Sequence, residues 1–234
     1  NDWTFVSTFG QAVQLRSSEP SEPDVVAATI IEGEDARRGL ACFNDETSKT
    51  IISGFTITNG FSEEFDYDGN GVYGSFESSG GGMYNFYSNP TLTSCVFIDN
   101  YAHESSDVSY GDGGGIFNDF SSPALTDCIF VNNVADDYGG GMFNFNGSPT
   151  LTGCTFENNT AEVGGGKYNH NSNPTLENCT FTGNSAYSNS FFNGGGGMYN
   201  YESSPTLENC TFTNNFANLD GGGMRNYSNS NPTL

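Results

Sequence analysis

Basic residues are nearly missing from this 234-residue chain: six Lys plus Arg face 28 Asp plus Glu, for a formal net charge of -22. Such a field repels nucleic acid phosphates and anionic lipid, so nucleic acid is excluded as a partner class. Long apolar runs are missing too. The most hydrophobic stretch, residues 25–31, falls far short of the ~18 residues that a spanning helix needs, and no direct membrane insertion is expected. Histidine occurs only twice, as His103 and His170, and no Cys-x-x-Cys pair exists, which leaves zinc without a ligand set. Charged residues make up only 15% of the chain while Gly numbers 31, a composition that disfavours long helices and suits turns and stacked strands. Disorder is excluded by 20 Phe and 12 Tyr, because disordered chains lack the apolar surface that offsets ordering entropy.

What is present is a repeat. Aligning Cys95, Cys128, Cys154, Cys179 and Cys210 puts Pro90, Pro123, Pro149, Pro174 and Pro205 in one column, and Leu92, Leu125, Leu151, Leu176 and Leu207 in another. Phe97, Phe130, Phe156, Phe181 and Phe212 follow each Cys by two residues, then come an Asn column headed by Asn100 and an Ala column headed by Ala102. A further Asn column, Asn85 to Asn226, precedes the cysteines. The unit is a 23-residue core, such as 80–102, and inserts of 10, 3, 2, 8 and 3 residues all fall between the Ala and the next Gly triplet. A fixed core with loops at a single corner means one coil per repeat.

Apolar residues alternate at period two within runs of four to six residues bounded by Gly, Pro, Asn and Ser. The pattern predicts an all-β fold, a right-handed parallel β-helix of about 23–26 residues per coil, with three short strands and three turns per coil and inserts at one corner. Residues 1–27 read as an N-terminal cap with the first degenerate strands, and 28–234 as the repeats. Ile52, Phe55 and Ile57 match the Leu, Cys and Phe columns, and Asn44 is aligned with the Asn column through one extra residue. The sequence stops at Asn231-Pro-Thr-Leu234, the opening of another coil's strand. More repeats, or end-to-end stacking of copies, are therefore expected beyond it.

The paired motifs G-G-G-[MI] and F-x-x-N, seen in Gly81-Gly82-Met83 and in Phe97 to Asn100, resemble those of chlamydial polymorphic outer membrane proteins and related bacterial surface β-helix proteins of the pectin-lyase-like superfold. The resemblance spans roughly residues 28–234 and implies a secreted or surface-exposed passenger with an adhesive or structural role.

Several residues invite chemistry. The longest insert carries Asp66-Tyr-Asp68-Gly-Asn70-Gly71 with Glu77 after five more residues, the D-x-[DN]-x-[DN]-G-x5-E pattern of a Ca²⁺ loop. Asp66, Asp68 and Asn70 would supply side-chain oxygens, Val72 its carbonyl and Glu77 a bidentate carboxylate, making Ca²⁺ the expected cofactor. With Met83 and Asn85 inward, Tyr84, Phe117, Phe143, Tyr168 and Tyr199 form an outward column, and Phe86, Phe145, Tyr201 and Tyr227 a neighbouring one that also carries Asp119 and His170. A strip of exposed rings on this scale suggests an interface or a sugar platform, with ring stacking that stiffens the sheet as the plainer reading. Lys167 stands in the inward column of Met83, Ile116, Met142, Met198 and Met224, where its ammonium would be desolvated. The cysteines read as free, buried thiols, since in-register parallel side chains align poorly for disulfides. Glu177 and Glu208 stack in register and are the nearest approach to a hydrolase carboxylate pair. His103 and His170 are too isolated in the sequence to argue a site.

The sequence thus favours a non-catalytic extracellular or cell-surface β-helix protein, a stalk, filament component or adhesin. A carbohydrate-binding module is the alternative, and a polysaccharide lyase or hydrolase a more distant one. Self-association and a glycan or host-surface ligand are the expected partners.

Overall fold

The computed structural model describes residues 12–43, 45–62, 78–104, 110–188 and 194–234. Their strands form four sheets, three of seven strands and one of six, and every strand pairing is parallel, each strand with its equivalent one coil along, as in Met142↔Lys167, Leu151↔Leu176, Phe156↔Phe181 and Ala161↔Ala186. This is a parallel β-helix. A coil has four strands, not three: Met83–Phe86, Thr91–Thr93, Val96–Ile98 and the two-residue Tyr101–Ala102. The fourth escapes a period-two reading because two residues cannot show alternation. We call the four sheets the methionine, leucine, phenylalanine and alanine sheets after their inward columns.

Inward columns are sealed. Leu92, Leu151, Phe97, Phe156, Met142 and Ala161 all have 0% exposure. The Phe rings stack along the axis at centroid separations of 5.1, 4.6, 4.6 and 4.7 Å, with planes within 6° of parallel. Two Asn ladders satisfy polar groups that the corners bury. From Asn85 to Asn226 each amide donates to the next at 2.8 Å. In the second ladder Asn159 Nδ2 donates to Asn184 Oδ1 and to the Phe130 carbonyl, while its Oδ1 accepts from both nitrogens of Asn133. Buried polar groups without partners cost free energy, so such ladders recur wherever the turn buries backbone.

The Gly triplets have a steric reason at two positions. Gly139 has φ of +68°, and a Cβ at Gly141 would lie 2.5 Å from the Gly166 carbonyl and 2.8 Å from the Phe156 ring. Adjacent coils therefore touch backbone to backbone at this corner.

At the start of the chain, the strand Gln14–Arg16 pairs in parallel with Ile51–Ser53, and the helix Pro23–Ala28 follows it. Cys42, not Asn44, pairs with Asn85 in the Asn column; Asn44 lies outside the described residues. No described helix is long and apolar enough to cross a membrane.

Candidate functional site

The outer face of the methionine sheet holds the aromatic residues singled out by sequence, and it divides in two. Tyr84, Phe117, Phe143, Tyr168 and Tyr199 point outward from the coil but are not exposed; with Val163 they form a second apolar cluster. The expectation of a solvent-facing column is corrected here for these five. Insert and first-coil residues fold over them: the Tyr138 ring lies 4.9 Å from Tyr168, Phe43 packs 5.5 Å from Tyr84, and the Arg38 guanidinium sits 5.2 Å above the Tyr84 ring. Asp119, assigned to water by its parity, is buried as well, with one oxygen accepting from Tyr84 Oη at 3.3 Å and the other without a hydrogen bond among the described residues. Burial pushes its carboxyl up to about 6.

The second column, Phe86, Phe145, Tyr201 and Tyr227, with His170 among them, stays in contact with solvent. One residue further on, Tyr87 and Phe120 add two rings that the sequence pattern does not single out. They are 49% and 44% exposed and lie 5.0 Å apart within 7° of parallel. Contacts continue through Phe120 and Phe145, Phe145 and His170, and His170 and Tyr201, at 6.0, 5.0 and 4.8 Å. The result is an unbroken ridge of rings running along the helix axis.

The insert corner assembles a second group of side chains. Asp136 accepts from Tyr101 Oη at 2.7 Å through one carboxylate oxygen, and its other oxygen lies 2.8 Å from His103 Nδ1. A carboxylate on Nδ1 makes that nitrogen the donor of the pair and fixes the orientation of the ring. Beneath it, Asp112 is 1% exposed and accepts from Tyr138 N, and Asp137 accepts from Gly111 N. Burial, then the Asp137 charge, raises Asp112 well above the carboxylate range, and burial brings Asp137 to about 6. Asp136 and Asp137 sit in a non-repeating insert, so no column points to them, and it is the fold that gives the isolated His103 its partner.

Both carboxyls are protonated more readily in the folded chain than in the unfolded one. Their stabilisation is complete below the unfolded carboxylate range and is lost as pH rises through their raised folded values. We expect the protein to melt higher at pH 5 than at pH 7.5, and Asp112→Asn to melt above wild type at pH 7.5 but close to it at pH 4. Thermal scans across this range check it; a variant less stable than wild type at both pH values rejects it.

Elsewhere the sequence-derived residues fall as follows. Lys167 is inward and fully buried, its Nζ 2.9 Å from Met142 Sδ. The six cysteines are free. Their thiols donate to carbonyls, as Cys154 does to Thr152 O and Leu125 O at 3.6 and 3.8 Å, and the flanking sulfurs and burial push Cys128 well up. Glu177 and Glu208 are in register and exposed. The calcium loop residues Asp66, Asp68, Asn70, Val72 and Glu77 lie outside the described residues, and among the described residues no cluster of His, Cys, Asp and Glu is placed to hold a metal ion.

Searches of curated proteins and of solved structures returned no match. The family model described as right handed beta helix region matches residues 5–181, more than half of the chain. Parallel stacking in four sheets, almost no helix, and that match together place the chain in the right-handed beta helix family.

Proposed function

We propose that this repeat protein is a non-catalytic extracellular scaffold, a stalk or adhesin displayed at a cell surface, whose recognition surface is spread along its axis. The observation that carries the proposal is the aromatic ridge from Phe86 to Tyr227, which every described coil from residue 83 onward extends. Repetition distributes binding over many equivalent contacts, as suits a surface that holds an extended partner. Protease treatment of intact cells of the producing organism tests the location: the chain should be shaved from the surface, and full protection within cells rejects the reading.

Enzymatic cleavage of a polysaccharide is the second reading, favoured by the insert corner, where burial raises the proton affinity of Asp112 and Asp137 beside the His103 and Asp136 pair. Assays for new reducing ends and unsaturated products over a polysaccharide panel decide it. Product formation abolished by Asp137→Asn would establish cleavage, and no product would leave the scaffold reading standing.

Calcium binding by residues 66–77 belongs to the same proposal. Calorimetric titration with Ca²⁺ should give heat for wild type and none for Asp68→Ala, and identical traces reject the site.

A further inference from the structure

The turns that carry the ridge use one backbone conformation. The residue after the methionine-sheet strand has positive φ in successive coils: 48° at Tyr87, 47° at Phe120, 52° at Asn146, 48° at Asn171, 49° at Glu202 and 52° at Ser228. Asparagine tolerates this left-handed conformation, whereas a bulky aromatic residue there is a strained outlier. Tyr87 and Phe120 therefore occupy a position where Asn is the better residue, and they hold large rings half in water. The turn does not require a ring there, since Asn146, Asn171, Glu202 and Ser228 make it without one. Strain held at an exposed position is a signature of function.

The surroundings define what would bind. Beside the ridge runs a file of exposed Asn89, Ser122, Ser148 and Asn173, linked by bonds such as Ser122 N to Asn89 Oδ1 at 2.6 Å and Asn173 N to Ser148 Oγ at 2.8 Å. Across the five turns 86–90, 119–123, 145–149, 170–174 and 201–205 the carboxylates are Asp119, which is buried, and Glu202. Burial lowers the affinity of His170 for a proton. In a chain of net charge -22 this strip is nearly neutral, so it offers a polycation little and a polyanion is repelled by the rest of the molecule. Flat rings flanked by hydroxyls and amides are the chemistry that recognises a sugar, one surface meeting its C–H faces and the other its hydroxyl groups. The coils advance by about 4.8 Å, close to the advance per residue of an extended β-1,4-linked glycan.

We propose that the ridge binds a neutral, extended β-linked glycan lying parallel to the helix axis, about one sugar per coil, with Tyr87 and Phe120 as its principal stacking platform. This names the ligand class for the surface under Proposed function and rests on reading that surface as one of recognition. Calorimetry on the full chain with cellohexaose and N-acetylchitohexaose, their trimers, and hexagalacturonate tests it. At least one neutral hexamer should bind at least tenfold more tightly than its trimer, with no heat from hexagalacturonate. In Tyr87→Asn/Phe120→Asn the binding should fall at least tenfold while the melting temperature is unchanged or higher, a combination that a purely structural pair of rings would not give. No binding of either neutral hexamer, or equal binding by the double variant, overturns the proposal. A chain that binds in this way but is not found at the cell surface would sink the scaffold reading and leave the glycan site intact.

Discussion

Replacing Asn159 with Leu should remove on the order of 4 kcal/mol or more of stability, since each buried group left unpaired costs about 1–3 kcal/mol. The substitution keeps roughly the same volume but strips Asn133 of the acceptor for its backbone N–H and its Nδ2, and leaves the Phe130 carbonyl without its donor. Water cannot enter, because Asn133, Asn159 and Asn184 are all fully buried. Urea unfolding measures the effect as a lowered midpoint at unchanged slope. Asn159→Asp separates hydrogen bonding from packing: it keeps both acceptor bonds yet buries an acid, so its deficit should shrink in acid, where the carboxyl is neutral. A Leu variant within about 1 kcal/mol of wild type would mean that the ladder is dispensable, against the asymmetry that makes unmade buried bonds expensive.

Lys167→Met should act in the opposite direction and raise stability. The native side chain fills the Met column with its stem but buries an amine whose nearest partner is Met142 Sδ, with Cys154 and Cys179 the titratable groups that face it. Burial lowers its pKa to about 7. The folded state therefore releases a proton that the unfolded lysine keeps up to its ordinary value near ~10.4. Stability of the wild type rises with pH across the window from about 7 to 10.4 and is flat below it with respect to this group. The penalty is complete below pH 7 and, at about 1.4 kcal/mol per unit, is on the order of 5 kcal/mol. Denaturant curves should show the Lys167→Met variant more stable than wild type by several kcal/mol at pH 6, with the gap closing steadily towards pH 10. A gap that does not change with pH would mean that the amine keeps its proton in the core, held there by groups outside the column.

The radial direction of the columns was legible in the residues. Leu151, Phe156, Met142 and Lys167 point inward because a strand alternates sides and a coil that repeats must superpose like on like. Lys167 was the severe test, since a charge would ordinarily argue for the outside, and period two outweighed residue type. Alternation gives three strands per coil where the fold has four, because Tyr101–Ala102 is too short to alternate. Cys42 escapes the Asn column because a thiol does not look like an amide.

The site divides the same way. Glu177 and Glu208 were placed side by side by register alone. The pairing of His103 with Asp136, 33 positions apart, had no sequence signal, because both lie in inserts that do not repeat. The strain at Tyr87 and Phe120 is foreshadowed by the Asn that takes their place at Asn146 and Asn171, once the column after the aromatic one is read as a turn position.

By itself the sequence determined which side chains share a column and which side of the wall each faces, since both follow from a fixed repeat and the two-residue period of a strand. Only the tertiary structure decided which outward residues meet water. Tyr138, Val163, Phe43 and Arg38 close over Phe143, Tyr168 and Tyr84, while Tyr87 and Phe120 one step along remain open. Exposure depends on where inserts and the degenerate first coil pack against the sheet, a long-range packing outcome that no local period encodes.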